Sequence, residues 1–217
     1  MQPEAINMKI AAVANAALRK EAEDKGSAPG LEWTWVDSVG MLGQHPDADG
    51  YFDLEFTPDA ARIGLLSRLL PKPVLINSVP HTLQEIGHPF IRINAWPGFL
   101  GRNCSEVAVR EGDPKEKAVE LFGAMGWIHR FVPDIPGMIS PRIVATIINE
   151  AYYTLQDKVS TREEIDTAMK LGTNYPFGPF EWSERIGLEK IAVLLTVLSR
   201  TDTRYAVAKA LKTAFSD

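Results

Sequence analysis

The sequence predicts an α/β amino-terminal domain built on a mainly parallel sheet, followed by an all-helical carboxy-terminal domain. Three observations lead there. Short β-rich runs alternate with helical segments through residues 9–132, the order that strand–helix–strand crossovers impose. The run Pro133, Asp134, Ile135, Pro136, Gly137 then interrupts the chain with two prolines and a glycine. Beyond it, every segment carries helical rather than alternating periodicity. Domains over residues 1–134 and 135–217 follow.

In the first domain, Lys9 to Val13 is predicted as a strand and Ala16 to Lys25 as a charged amphipathic helix, which the breaker run Gly26 to Gly30 ends. Leu31 to Val36 is a second strand, with Asp37 at its carboxyl end. A polar, glycine-containing loop spans Val39 to Gly50, and the alternation of Tyr51 to Phe56 marks a half-buried strand. Ala60 to Leu70 carries Ile63, Leu66, Leu69 and Leu70 at helical spacing. Pro73 to Asn77 is a continuous apolar run, typical of a strand covered on both faces. Phe90 to Ala95, Glu106 to Val109 and Trp127 to Val132 are further strands, with a helix over Lys115 to Met125.

In the second domain, Ile139, Ile143, Ile147, Ala151 and Leu155 line one face of a long helix, supported by Val144, Ile148 and Tyr152, that ends near Asp157. Thr161 with Glu164 forms a capping box for a helix from Arg162 to Leu171, closed by Gly172. The helix from Leu188 to Ser199 is apolar around most of its circumference, so it belongs in a core or a subunit interface. Asp202 is expected to cap a last helix running through Phe215.

Composition excludes several classes of function. A net charge of −5, with no dense Lys/Arg stripe, gives no electrostatic footprint for nucleic acid or an anionic membrane. The most apolar stretch, Ile191 to Leu198, is far shorter than the roughly 20 residues that span a bilayer. Only one cysteine is present, so no intrachain disulfide framework is expected, and the charged amino terminus lacks a signal-peptide pattern. A soluble, cytoplasmic protein is the expectation. Cys104, with no nearby histidine or basic cluster, reads as a small buried hydrophobe. No metal site is expected.

Four motifs occur in order from Pro73 to Leu188. LINSVPHTLQEI stands as a strand, a polar turn and a helix; FIRINAWPGFLGRNCSEV follows; VPDIPGMISPRI forms the linker; and IDTAMKLGTNYPFGPFEW completes the series. Together they resemble the later part of the 3-hydroxyacyl-CoA dehydrogenases, enzymes of fatty acid metabolism. The resemblance implies a shortened Rossmann-like domain followed by an all-α 3-hydroxyacyl-CoA dehydrogenase-like domain. It also implies an NAD cofactor, an acyl-CoA substrate, and a homodimer formed through the helical domain.

Much of the family's chemistry is missing from the residues themselves. The family uses a histidine as acid/base on the substrate oxygen and a glutamate that orients it. Asn94 stands at the histidine position, and an amide has no proton to exchange near neutral pH. Glu106 survives at the family's twelve-residue spacing. His81 replaces a substrate-contacting serine, and Pro141 replaces the asparagine of an Asn-Arg pair while Arg142 remains. Trp96 and Phe99, beside Asn94, could wall an acyl pocket or fill a core. Arg62, Arg68 and Lys72 on one side, and Arg92, Arg102 and Arg110 on the other, could serve CoA phosphates or belong to a solvated surface.

The glycine-rich turn that lets backbone N–H groups approach a pyrophosphate is absent, since AVANAALRKE stands in its place. Asp37 falls where a ribose-binding carboxylate belongs, or is a surface turn residue. The family also has a longer excursion between its second and third strands than the loop Val39 to Gly50 provides.

Three readings stay open. The chain is a family member without hydride transfer and without a cofactor, holding an acyl-CoA-like or other small ligand between its domains with Asn94, Trp96, Glu106 and His81. Alternatively it is an active NAD-dependent oxidoreductase with His81 as base and Asp37 at the ribose. Or it is a structural or regulatory subunit that pairs through its helical domain.

Overall fold

The computed structural model describes residues 7–216 and divides into two compact units, one ending at Ile135 and the other starting at Pro136. The first holds β1 (Met8–Val13), α1 (Ala16–Lys25), β2 (Leu31–Val36), β3 (Gly50–Asp53), α2 (Ala60–Ser67), β4 (Val74–Asn77), α3 (Leu83–Ile86), β5 (Ile91–Ile93), β6 (Cys104–Ala108), α4 (Glu116–Met125) and β7 (Ile128–Phe131).

Its seven strands form one sheet in the order β2-β1-β3-β4-β5-β6-β7. The first five run parallel, β6 runs antiparallel to β5, and β7 is parallel to β6. The order reverses direction at β1, with β2 on one side and β3 on the other. This is the switch-point topology of Rossmann-like domains, with one strand fewer beyond β2 than the six-strand form has.

Apolar residues alternate between two cores. Ile10, Ala12, Phe52 and Leu75 pack with Leu18 and Ala22 of α1 and with Leu121, Phe122 and Met125 of α4. Ala11, Val13, Tyr51 and Ile76 face the other way, onto Leu42, Leu66 and Leu83. Strands β1 and β4 are thus covered on both faces, which explains the apolar runs at residues 10–13 and 74–76. Burying a side chain of Phe or Leu size contributes about 1.5–3 kcal/mol.

The second unit is helical: α5 (Ser140–Gln156), α6 (Arg162–Thr173), α7 (Pro179–Ile186), α8 (Leu188–Ser199) and α9 (Lys209–Ser216). Its most motif-rich stretch is held by a cap across two helices. Asp166 of α6 is buried and accepts from Phe180 N (2.8 Å) and Glu181 N (3.1 Å) in the first turn of α7. Those donors have no partner inside their own helix, so the carboxylate satisfies them and opposes the helix dipole. Gly178 lets the two elements meet, since a Cβ there would lie 2.3 Å from the Asp166 carboxyl carbon. Lys170 pairs with Glu181, whose other oxygen accepts from Gly178 N (3.0 Å). Asn149 of α5, 4% exposed, ties down the approach to α9 by donating to Ala206 O (2.8 Å) and accepting from Ala208 N (2.9 Å).

Several expectations are corrected. Cys104 is exposed, not buried, because it opens β6 at the rim of the sheet. The strand at Tyr51 stops at Asp53, whose carboxylate turns the chain by accepting from Glu55 N (3.2 Å). Helix α6 passes through Gly172 and ends at Asn174, in the left-handed region at φ 55°. Asp202 caps a short 3₁₀ turn at Thr203–Tyr205, and α9 starts only at Lys209. On α5 the buried face is Pro141, Ala145, Ile148, Asn149, Ala151 and Tyr152, so Ile148, Ala151 and Tyr152 lie in the core as expected, while Ile139 and Ile143 of the predicted stripe stand 52% exposed. Helix α7 and the 3₁₀ turn Val39–Gln44 were not predicted from periodicity.

Candidate functional site

Each of the five parallel strands hands over to an Asn or Asp at its carboxyl end: Asn15, Asp37, Asp53, Asn77 and Asn94. Ligands of open α/β sheets bind at this end. What these five side chains do decides what the site can hold.

Asn15 caps α1, its Oδ1 accepting from Leu18 N at 3.0 Å. Asp53, fully buried, sits at the switch point beside Val13 of β1 and receives Arg62 as a two-pronged pair, Nε–Oδ2 and Nη2–Oδ1 both 2.6 Å. Hydrogen bonding to Asp53 holds the Arg62 guanidinium above its usual range. Asn77 ties three strands together. Its amide donates to Leu54 O (3.1 Å) and Ala95 O (3.0 Å), and its oxygen accepts from Ala95 N (3.0 Å). Asp37 is exposed and lies four strand spacings from Asn94, roughly 19 Å across the sheet.

Asn94 and Glu106 are brought together. Asn94 N donates to Glu106 O (3.1 Å), next to the Ile93–Val107 pair of β5 and β6. Asn94 is 3% exposed and its oxygen accepts from Trp96 N at 3.4 Å. Trp96 and Phe99 are buried in the following loop, and the Arg102 guanidinium lies 3.9 Å from the centre of the Phe99 ring. Burial lowers Arg102 below the usual guanidinium range, while the nearby Glu106 carboxylate acts to raise it. Glu106 therefore has a cation near it that cannot shuttle protons. Glu21 of α1 fastens the same loop, accepting from Gly98 N (2.7 Å) and Gly101 N (3.4 Å).

His81 lies in the turn between β4 and α3, half-exposed, with Nδ1 4.0 Å from Glu85. The turn is held from beneath. Arg92, completely buried, donates to Ser78 O (2.7 Å), Val79 O (3.0 Å) and Ile135 O (3.4 Å) and pairs with Asp134. Asp134 also caps α3, accepting from Leu83 N (2.8 Å) and Gln84 N (3.3 Å).

The other cations serve their own surroundings. Lys72 donates to Pro46 O and Ala48 O (both 2.6 Å), Arg110 pairs with Asp113 (2.9 Å), and Arg68 is exposed. Arg92 is an interior strut, not a surface charge. Arg142 belongs to the second unit, where it donates to Pro136 O (2.7 Å) and lies 5.8 Å from the centre of the Tyr205 ring. Among the described residues, no cluster of three His, Cys, Asp or Glu side chains could hold a metal. No described helix is long and apolar enough to cross a membrane.

Asp53, Asn77 and Asp134 were missed as organisers of this region. For Asp53 and Asn77 a signal was available: a polar residue that closes a buried strand must answer for the backbone groups that the turn leaves unpaired.

A family model described as 3-hydroxyacyl-CoA dehydrogenase, C-terminal domain, matches residues 137–217. The helical unit is similar to the C-terminal domain of the 3-hydroxyacyl-CoA dehydrogenases. Over 126 residues it is 42% identical to the 3-hydroxyadipyl-CoA dehydrogenase of Escherichia coli K12, a match covering 56% of this chain and 26% of that protein. It is also 42% identical over 88 residues to a 3-hydroxybutyryl-CoA dehydrogenase of Clostridioides difficile, covering 40% and 31%. The matches thus span less than a third of the length of these two relatives. In fold, the chain resembles the crystal structure of (S)-3-hydroxybutyryl-CoA dehydrogenase PaaH1 from Ralstonia eutropha. That likeness has a TM-score of 0.74 at 16% identity and covers 96% of this chain and 93% of that one. M. tuberculosis FadB2 gives 0.75 at 12% identity, covering 98% and 94%.

Proposed function

We propose that this 3-hydroxyacyl-CoA dehydrogenase-like protein does not transfer hydride, and that it binds an acyl-CoA-like or other small ligand without a dinucleotide. The observation that carries this reading is the Asn15 cap: the carboxamide already holds the Leu18 amide at the helix end where a pyrophosphate would sit. Asn15, Ala16 and Ala17 all bear side chains there, and none of residues 14–17 adopts a positive φ. The residues present do not fit NAD.

The proton-transfer pair is missing in the same way. Asn94 adjoins Glu106, and its amide can donate to a thioester or keto oxygen but cannot act as a base. Asn94, Trp96, Glu106 and His81 are the residues assigned to the ligand, with Asn94 orienting its carbonyl. Asp37 has no cofactor role in this reading, and Arg142 acts within the helical unit.

The contact of a homodimer is placed on that helical unit, where Ile143 and Val193 are 52% and 38% exposed. Large apolar side chains left in water favour association.

The test is calorimetry with acetoacetyl-CoA, together with NADH consumption in the same mixture. Saturable binding of the thioester with no NADH consumption is expected, and turnover of NADH would overturn the reading.

A further inference from the structure

Strand β2 is the outer edge of the sheet, and no described strand lies beyond it. Met8 N donates to Gly30 O (3.0 Å), which fixes the sense of the β1–β2 ladder. Even-numbered residues of β2 turn their backbone groups toward β1, so Trp33 and Trp35 turn theirs outward. The edge carries none of the usual protections: Leu31–Val36 contains no proline, no lysine and one charge, Glu32. Trp33 and Trp35 share one face of the strand, stacked with centroids 4.9 Å apart at 4°, and both remain half-exposed. Thr34 and Glu32 are exposed on the opposite face.

We propose that this edge pairs with β2 of a second copy, antiparallel and centred on Thr34. The segment is self-complementary. A two-fold contact must match a segment to itself reversed, and Trp33-Thr34-Trp35 reads the same in both directions. In that register Trp33 and Trp35 form hydrogen-bonded pairs with the partner's Trp35 and Trp33, using the outward N–H and C=O groups of both tryptophans. Thr34 meets its own copy, and Glu32 lies opposite Val36 rather than another glutamate. Aromatic–aromatic and Thr–Thr cross-strand pairs are among those that stabilise antiparallel ladders. The pairing fills the position where six-strand Rossmann sheets carry a further strand. It is independent of any contact through the helical unit.

The test is disulfide trapping in the full chain with Cys104→Ser as background. In the proposed register the Thr34 Cα atoms of the two copies are about 4.5 Å apart, within disulfide reach. The Glu32 Cα atoms are roughly 13 Å apart, outside it. Mild oxidation of Thr34→Cys is expected to give a covalent dimer, and Glu32→Cys none, with far-UV circular dichroism unchanged in both. Failure of Thr34→Cys to cross-link, or equal cross-linking at both positions, would overturn the proposal.

Discussion

Asp134 holds Arg92 and the first turn of α3 at once: Oδ1 pairs with the buried guanidinium and Oδ2 accepts from Leu83 N at 2.8 Å. One carboxylate therefore fixes three segments, β5 through Arg92, the His81 turn through Ser78 and Val79, and the end of the first unit. Arg92→Met leaves Asp134 buried beside an apolar stem, and breaking such a pair costs about 3–5 kcal/mol. Urea unfolding should show that loss for Arg92→Met, and a clearly smaller loss for Arg92→Met combined with Asp134→Leu. Equal losses would show that the pair is not coupled.

Gly178→Ala should destabilise the helical unit more than an ordinary glycine replacement does. The new methyl would stand 2.3 Å from the Asp166 carboxyl, so either the cap or the α6–α7 approach must open. Losing the cap alone costs about 1–3 kcal/mol. A thermal melt of Gly178→Ala that matches the parent would contradict the close approach.

Asn149→Ala removes two hydrogen bonds and leaves Ala208 N without its partner, while Ala206 O keeps the Tyr153 hydroxyl (3.1 Å). A cost of about 2–3 kcal/mol follows, with faster amide exchange over residues 206–216. Exchange confined to other segments would show that Asn149 does not anchor α9.

The helical unit should lose stability in acid. Ser160 and Thr161 hold Glu164, and Lys170 and Gly178 hold Glu181, below the usual glutamate range. Groups with depressed folded pKa values stabilise above the unfolded value, about pH 4.3, and the gain disappears as pH falls through the folded one. The melting temperature should therefore fall between about pH 5 and pH 3, and Glu164→Gln with Glu181→Gln should flatten that slope. An unchanged slope would contradict the assignment.

The fold was legible where periodicity reports burial. The doubly covered strands β1 and β4, the α4 helix and the capping box at Thr161 all follow from local sequence, because their side chains answer to the same core that sets the pattern. Short elements fixed by distant partners were not legible. Helix α7 depends on Asp166, thirteen residues before its start, and the end of α6 depends on the left-handed Asn174 rather than on Gly172. At the candidate site, Asn94 and Glu106 were singled out by the family resemblance, and the fold joins them through a backbone hydrogen bond at the end of β5. The role of Asp134 required the chain to fold first, since Arg92 reaches it from β5, 42 residues away in sequence. Cys104 shows the opposite failure, a residue judged by type when its place at the start of β6 decides its exposure.

Asn15 of this chain caps the helix end beyond β1, the end where the proposed function has no dinucleotide bound. Titration of the purified protein with NADH, followed by nicotinamide fluorescence, tests this most directly. No saturable change up to millimolar NADH is the predicted result. Saturable enhancement that Asn15→Gly strengthens would contradict it.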